Sequence, residues 1–138
     1  MTIQHYGRLI DHVHLRVRDL AASERFYRAA LEALGLLDAI RTGDGWFSAD
    51  ELYIDRADGP TSRVHLAFQA DGMDAVRRFH AAALAAGGTD PGAPGPRDYH
   101  PGYYGAFVLD PDGNNIEAVW HGPATRSAAA VDIEPASS

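Results

Sequence analysis

Cysteine is absent from the 138 residues. That excludes disulfides, zinc–thiolate sites and a cysteine nucleophile. Any metal site has to be built from His, Asp, Glu or water. No apolar run approaches the roughly 18 residues that a membrane helix needs. The first nine residues lack a charged segment followed by an apolar one, so a cytoplasmic protein without a secretory leader is expected. Positive charge is scarce: 12 Lys or Arg stand against 19 Asp or Glu, for a net charge of −7. The basic residues are scattered, whereas a nucleic-acid binder carries a basic patch. What is present is ordinary for one globular domain, 46% apolar and 22% charged. Seven histidines are the exception.

The chain repeats itself. Shifted by 53 positions, His12–Gly35 lies over His65–Gly88 without a gap, and nine of 24 positions are identical. The matches include His12/His65, Arg25/Arg78, Phe26/Phe79, Leu31/Leu84 and Gly35/Gly88. In the first copy Val13, Leu15 and Val17 alternate with His12, His14, Arg16 and Arg18. That is the period of a strand with one apolar face. In the second, Leu66, Phe68 and Ala70 alternate with His65, Ala67 and Gln69. Helices are predicted over Leu20–Leu34, capped by Asp19, and over Met73–Ala86, with Gly35 and Gly87-Gly88 as stops.

Shorter strands are predicted at Leu37–Arg41, Trp46–Ala49 and Leu52–Asp55, then near Arg97–Tyr99, Tyr103–Leu109 and Asn115–Trp120. Asp110-Pro111-Asp112-Gly113-Asn114 reads as a turn, and the Gly- and Pro-rich Gly87–Pro101 reads as a loop. The expected fold is α+β: two tandem β-α-β-β-β modules, 8–57 and 62–121, with helices outside and a curved mixed sheet facing a cavity. Residues 122–138 form a flexible tail.

If helices cover the apolar faces, the alternate residues point elsewhere. These are His12, His14 and Arg16; Glu51, Tyr53 and Asp55; His65, Ala67 and Gln69. Glu117 adds a carboxylate between Ile116 and Ala118. His12 and His65 occupy equivalent repeat positions. Two imidazoles and a carboxylate hold a divalent metal while leaving positions open. His5, His80, His100 and His121 read as surface or loop residues. No nucleophile elbow, phosphate loop or dinucleotide-binding glycine motif occurs.

Residues 10–20 (IDHVHLRVRDL), 23–35 (SERFYRAALEALG), 64–68 (VHLAF) and 107–117 (FVLDPDGNNIE) together resemble the vicinal oxygen chelate superfamily. That group contains glyoxalases, extradiol dioxygenases and bleomycin-resistance proteins. The likeness covers residues 8 to 121. It implies metal ligands His12, His65 and Glu117, with Zn, Ni, Fe or Mn as the ion. His14 is the near competitor of His12. It implies a glyoxalase-like lyase or isomerase in which the ion chelates neighbouring oxygens of a small substrate. Glu117 moves the proton there, with Glu51 as a further catalytic candidate and fourth ligand. A ring-cleaving dioxygenase and a non-catalytic resistance protein are the alternatives. His14, Arg16, Trp46, Tyr53, His100 and Tyr104 are the candidate substrate contacts, and a homodimer is expected.

Overall fold

The computed structural model describes residues 3–134. Met1 and Thr2, and the last four residues of the expected tail, lie outside the described residues. The first module runs β1 (Val13–Val17), α1 (Leu20–Ala33), β2 (Ile40–Gly43), β3 (Trp46–Ala49) and β4 (Leu52–Arg56). The second runs β5 (His65–Gln69), α2 (Met73–Ala85), β6 (Thr89–Pro96), β7 (Tyr104–Leu109) and β8 (Asn115–Trp120). The strands form two four-stranded sheets, ordered β1-β4-β3-β2 and β5-β8-β7-β6. In each, the first and last strands of the module pair in parallel and the other pairs are antiparallel. This is the expected α+β architecture, repeated. Residues 122–134 form neither helix nor strand.

Helix α1 buries Ser23, Phe26, Tyr27, Ala30 and Leu31, the i, i+3, i+4 spacing of one helical face. The Asp19 carboxylate accepts from the Ala22 N–H at 3.1 Å and caps its start. Gly35, at φ +78°, ends it. Helix α2 buries Ala75, Val76, Phe79 and Ala83. Both helices share one core with Leu15, Val17, Phe47 and Ile54 of the first sheet and Ala106, Val108, Ile116 and Ala118 of the second. Fully burying each large apolar side chain contributes about 1.5–3 kcal/mol.

The Asp110–Asn114 turn is tied into this core. Asp110 accepts from the Tyr27 hydroxyl at 2.5 Å, the Asn114 amide side chain at 3.0 Å, and the Asp112 and Asn114 backbone N–H groups. Burial, followed by the neighbouring Asp110, pushes the Tyr27 hydroxyl well above its ordinary pKa.

Three local expectations need correction. Leu37–Ala39 is a turn of 3₁₀ helix, and the strand begins at Ile40. Gly87–Pro101 is not all loop, since Thr89–Pro96 pairs with β7. Its prolines are tolerated because β6 is an edge strand with shifted register, where a missing N–H removes no central ladder bond. Arg97–Tyr99 is not a strand but enters a turn. That turn is closed by Arg97 N–H donating to the Tyr103 carbonyl and Tyr103 N–H to that of His100.

Candidate functional site

The outward residues of both edge strands β1 and β5, among them His14, Arg16, His65, Ala67 and Gln69, are exposed. Their inward neighbours feed the core, as the alternation requires. Register then aligns the two modules. Val13 pairs with Leu52 and His14 with Tyr53. Leu66 pairs with Ile116 and Ala67 with Glu117. Tyr53, therefore, stands where Glu117 stands in the second module, and Glu51 matches Asn115. Glu51 itself is exposed in the turn before β4.

Glu117 is only 2% exposed, and both of its oxygens are engaged. Oε1 accepts from His65 Nε2 at 2.8 Å, and Oε2 accepts a short bond from the Tyr103 hydroxyl. Burial, then the bond to Glu117, raises the pKa of Tyr103 far above the usual tyrosine value. His65 is 53% exposed and places its ring 5.7 Å from Phe107. A buried carboxylate held by an open imidazole is not a solvated surface glutamate.

The donor chemistry suits a divalent cation. Two donors at right angles, each about 2.1 Å from such an ion, stand about 3 Å apart. His65 Nε2 and Glu117 Oε1 are close to that separation. His12 is not with them. It precedes β1, is 73% exposed, and points Nδ1 at Asp11, 2.7 Å away. Among the described residues no three His, Asp or Glu side chains converge as a metal-binding group.

The first sheet carries a second His–carboxylate pair. His14 Nε2 lies 2.7 Å from Asp55 Oδ1. It is the same diagonal contact as His65–Glu117, displaced two residues along the strands. Tyr53 meets His14 edge-on and stacks on Trp46. The indole lies so close to β2 that a Cβ at Gly43 would sit 2.3 Å from it. His14, Trp46 and Tyr53 thus form one cluster, with Arg16 on the same face and the Tyr104 hydroxyl bound by Arg77 elsewhere.

His100 and His121, read from sequence as separate surface or loop residues, are paired. His100 Nδ1–H donates to the Pro101 carbonyl. By elimination its Nε2 accepts from His121 Nδ1–H, 2.8 Å away. Tyr6 stacks on His121. Burial, then the neighbouring His100, lowers the His121 pKa. The folded chain resists a proton that the unfolded chain accepts, so stability falls as pH drops below about 6.5. His121→Asn is expected to give a shallower loss between pH 7 and 5 in urea unfolding. An unchanged slope refutes the coupling. The sequence places Tyr103 at the head of the strand Tyr103–Leu109, with no role in the site; in the structure the strand begins at Tyr104 and Tyr103 belongs to the turn before it.

A sequence profile of the glyoxalase/bleomycin resistance protein/dioxygenase superfamily matches residues 9–118. No curated protein matches the chain. A solved glyoxalase/bleomycin resistance protein from Albidiferax ferrireducens T118 is 32% identical. That match covers 81% of this chain and 98% of the other, with a TM-score of 0.73. A glyoxalase-related enzyme from Fulvimarina pelagi is 21% identical over 88% of this chain and 100% of its own, with TM-score 0.64. Lactoylglutathione lyase from Agrobacterium tumefaciens shares the fold at 21% identity, 82% and 93% coverage and TM-score 0.58. With its repeated modules and its profile match across most of the length, this chain belongs to the glyoxalase/bleomycin resistance protein/dioxygenase superfamily.

Proposed function

We propose that the protein is a metal-dependent enzyme, glyoxalase-like in its lyase or isomerase chemistry, acting on a small substrate with two adjacent oxygens. The observation that carries this reading is the buried Glu117 carboxylate presenting one oxygen beside the open His65 imidazole. The ion, Zn, Ni, Fe or Mn, supplies Lewis-acid stabilisation of charge developing on substrate oxygen. His65 and Glu117 hold it from one chain. His12 of a second copy completes the set, because His12 is 73% exposed and joins no ligand group within its own described residues. That arrangement requires a homodimer. It also lays His14, Arg16, Trp46 and Tyr53 of one copy across from His65 of the other as a substrate wall. His100 adjoins the site through its ring contact with Tyr103, whereas Tyr104, packed against the core and bound by Arg77, stands on the other face of the sheet. Glu117 is the proton-moving carboxylate inside the site, and Glu51 remains the outer candidate.

A second reading, ring-cleaving dioxygenase chemistry, has one observation in its favour. Tyr53 occupies the position matching Glu117, so the set is two imidazoles and one carboxylate rather than four protein ligands. Isomerase assays on hemithioacetals against oxygen uptake with catechols separate the two. Activity in neither, with metal bound, favours a resistance-type binder.

Metal-loaded protein is expected to lose about 5 °C or more of melting temperature on chelation at pH 7.5. Saturation about 100-fold above Kd contributes about 2.7 kcal/mol. Light scattering should give twice the chain mass, and His12→Ala should lose metal. An unchanged melt, or a monomer that keeps its metal, overturns the shared site.

A further inference from the structure

Glu117 has two oxygens and the structure uses them differently. Oε1 faces the half-exposed His65 imidazole. Oε2 is taken by the Tyr103 hydroxyl. We propose that Tyr103 is a positioning residue that reserves Oε2 and turns Oε1 alone toward the cation. Glu117 would then hold a cation through Oε1, with Oε2 kept by the phenol. The inference rests on the metal reading above and adds to it the manner in which the carboxylate binds.

Three features build this device. The phenol ring is fixed on several sides: Tyr99 meets it edge-on at 4.8 Å, His100 at 5.3 Å and His121 at 5.4 Å. The backbone is fixed by the turn in which Tyr103 N–H donates to the His100 carbonyl and its own carbonyl accepts from Arg97 N–H. The hydroxyl therefore has little freedom to leave the carboxylate. Gly105 supplies the room. A Cβ there would stand 2.9 Å from Glu117 Oε2 and 3.3 Å from the Tyr103 ring. Any larger residue at 105 would wedge the phenol and the carboxylate apart. A carboxylate whose second oxygen is hydrogen-bonded in this way is held in one orientation, the usual part of an outer partner in a metal site. In a site with few protein donors, an oxygen kept off the ion is a place kept for substrate.

The test is titration of purified protein with Co(II), whose visible absorption reports coordination. Tyr103→Phe removes only the hydroxyl. Gly105→Ala removes no polar group and displaces the same contact. Both are expected to weaken Co(II) binding by about 10-fold or more and to change the shape of the absorption band. Wild-type affinity and spectrum in both Tyr103→Phe and Gly105→Ala, or tighter binding in either, overturns the positioning role and leaves the metal site standing. Wild-type protein that takes up no Co(II) overturns the metal site itself, and the positioning role with it.

Discussion

Asp110→Ala is expected to destabilise the protein by about 3–5 kcal/mol, the largest effect of any single polar substitution considered. The carboxylate gathers four donors in a region closed to water: the Tyr27 hydroxyl, the Asn114 side chain and two backbone N–H groups. Tyr27 is fully buried and Asn114 nearly so. Removing the acceptor strands several of these donors at once, and each buried orphan costs about 1–3 kcal/mol. Tyr27→Phe removes one donor and leaves Asp110 its other three, so a smaller loss of about 1–2 kcal/mol is expected. Urea unfolding of both variants decides. Asp110→Ala within about 1 kcal/mol of wild type would show that the turn is not tied to α1 energetically.

Glu117→Gln tests the site without touching the core. The shape is retained, the amide carbonyl accepts from Tyr103, and its NH₂ faces His65 in the other tautomer. The fold should stay within about 1 kcal/mol of wild type. Metal affinity should fall by about 10- to 100-fold, about 1.4–2.7 kcal/mol, since the only anionic donor is lost. Calorimetric titration with Ni(II) measures it. Equal affinity removes Glu117 from the site, and with it the reading of the paired His65.

Alternation alone made much of this legible. It assigned Leu15, Val17, Ile116 and Ala118 inward and His14, Arg16 and His65 outward, as found. Glu51 and Tyr53 share that parity, so alternation cannot choose between them. The choice rests on the β1–β4 pairing, which places Tyr53 opposite His14. His12 has the right parity too, but it precedes the strand and leans on Asp11. Tyr103 has the parity of Phe107, which pairs with Glu117, but its bond to the carboxylate depends on the turn that precedes β7. Composition misled at β6, because Gly and Pro report local preference and not a place at the edge of a sheet.

That edge has a consequence for how copies of the chain meet. Pro91, Pro94 and Pro96 remove three N–H groups from the eight residues of β6. A strand so depleted is a poor template for another strand. The opposite edges, β1 and β5, carry no proline. In the second module backbone recruitment is thus favoured at β5 over β6, while in the first Ser62 already bonds both backbone groups of Arg16 on β1. The remaining outer edges are the proline-broken β6 and the four-residue β2. Strand addition at β6 is thereby disfavoured, and Pro94→Val would be the change most apt to permit it.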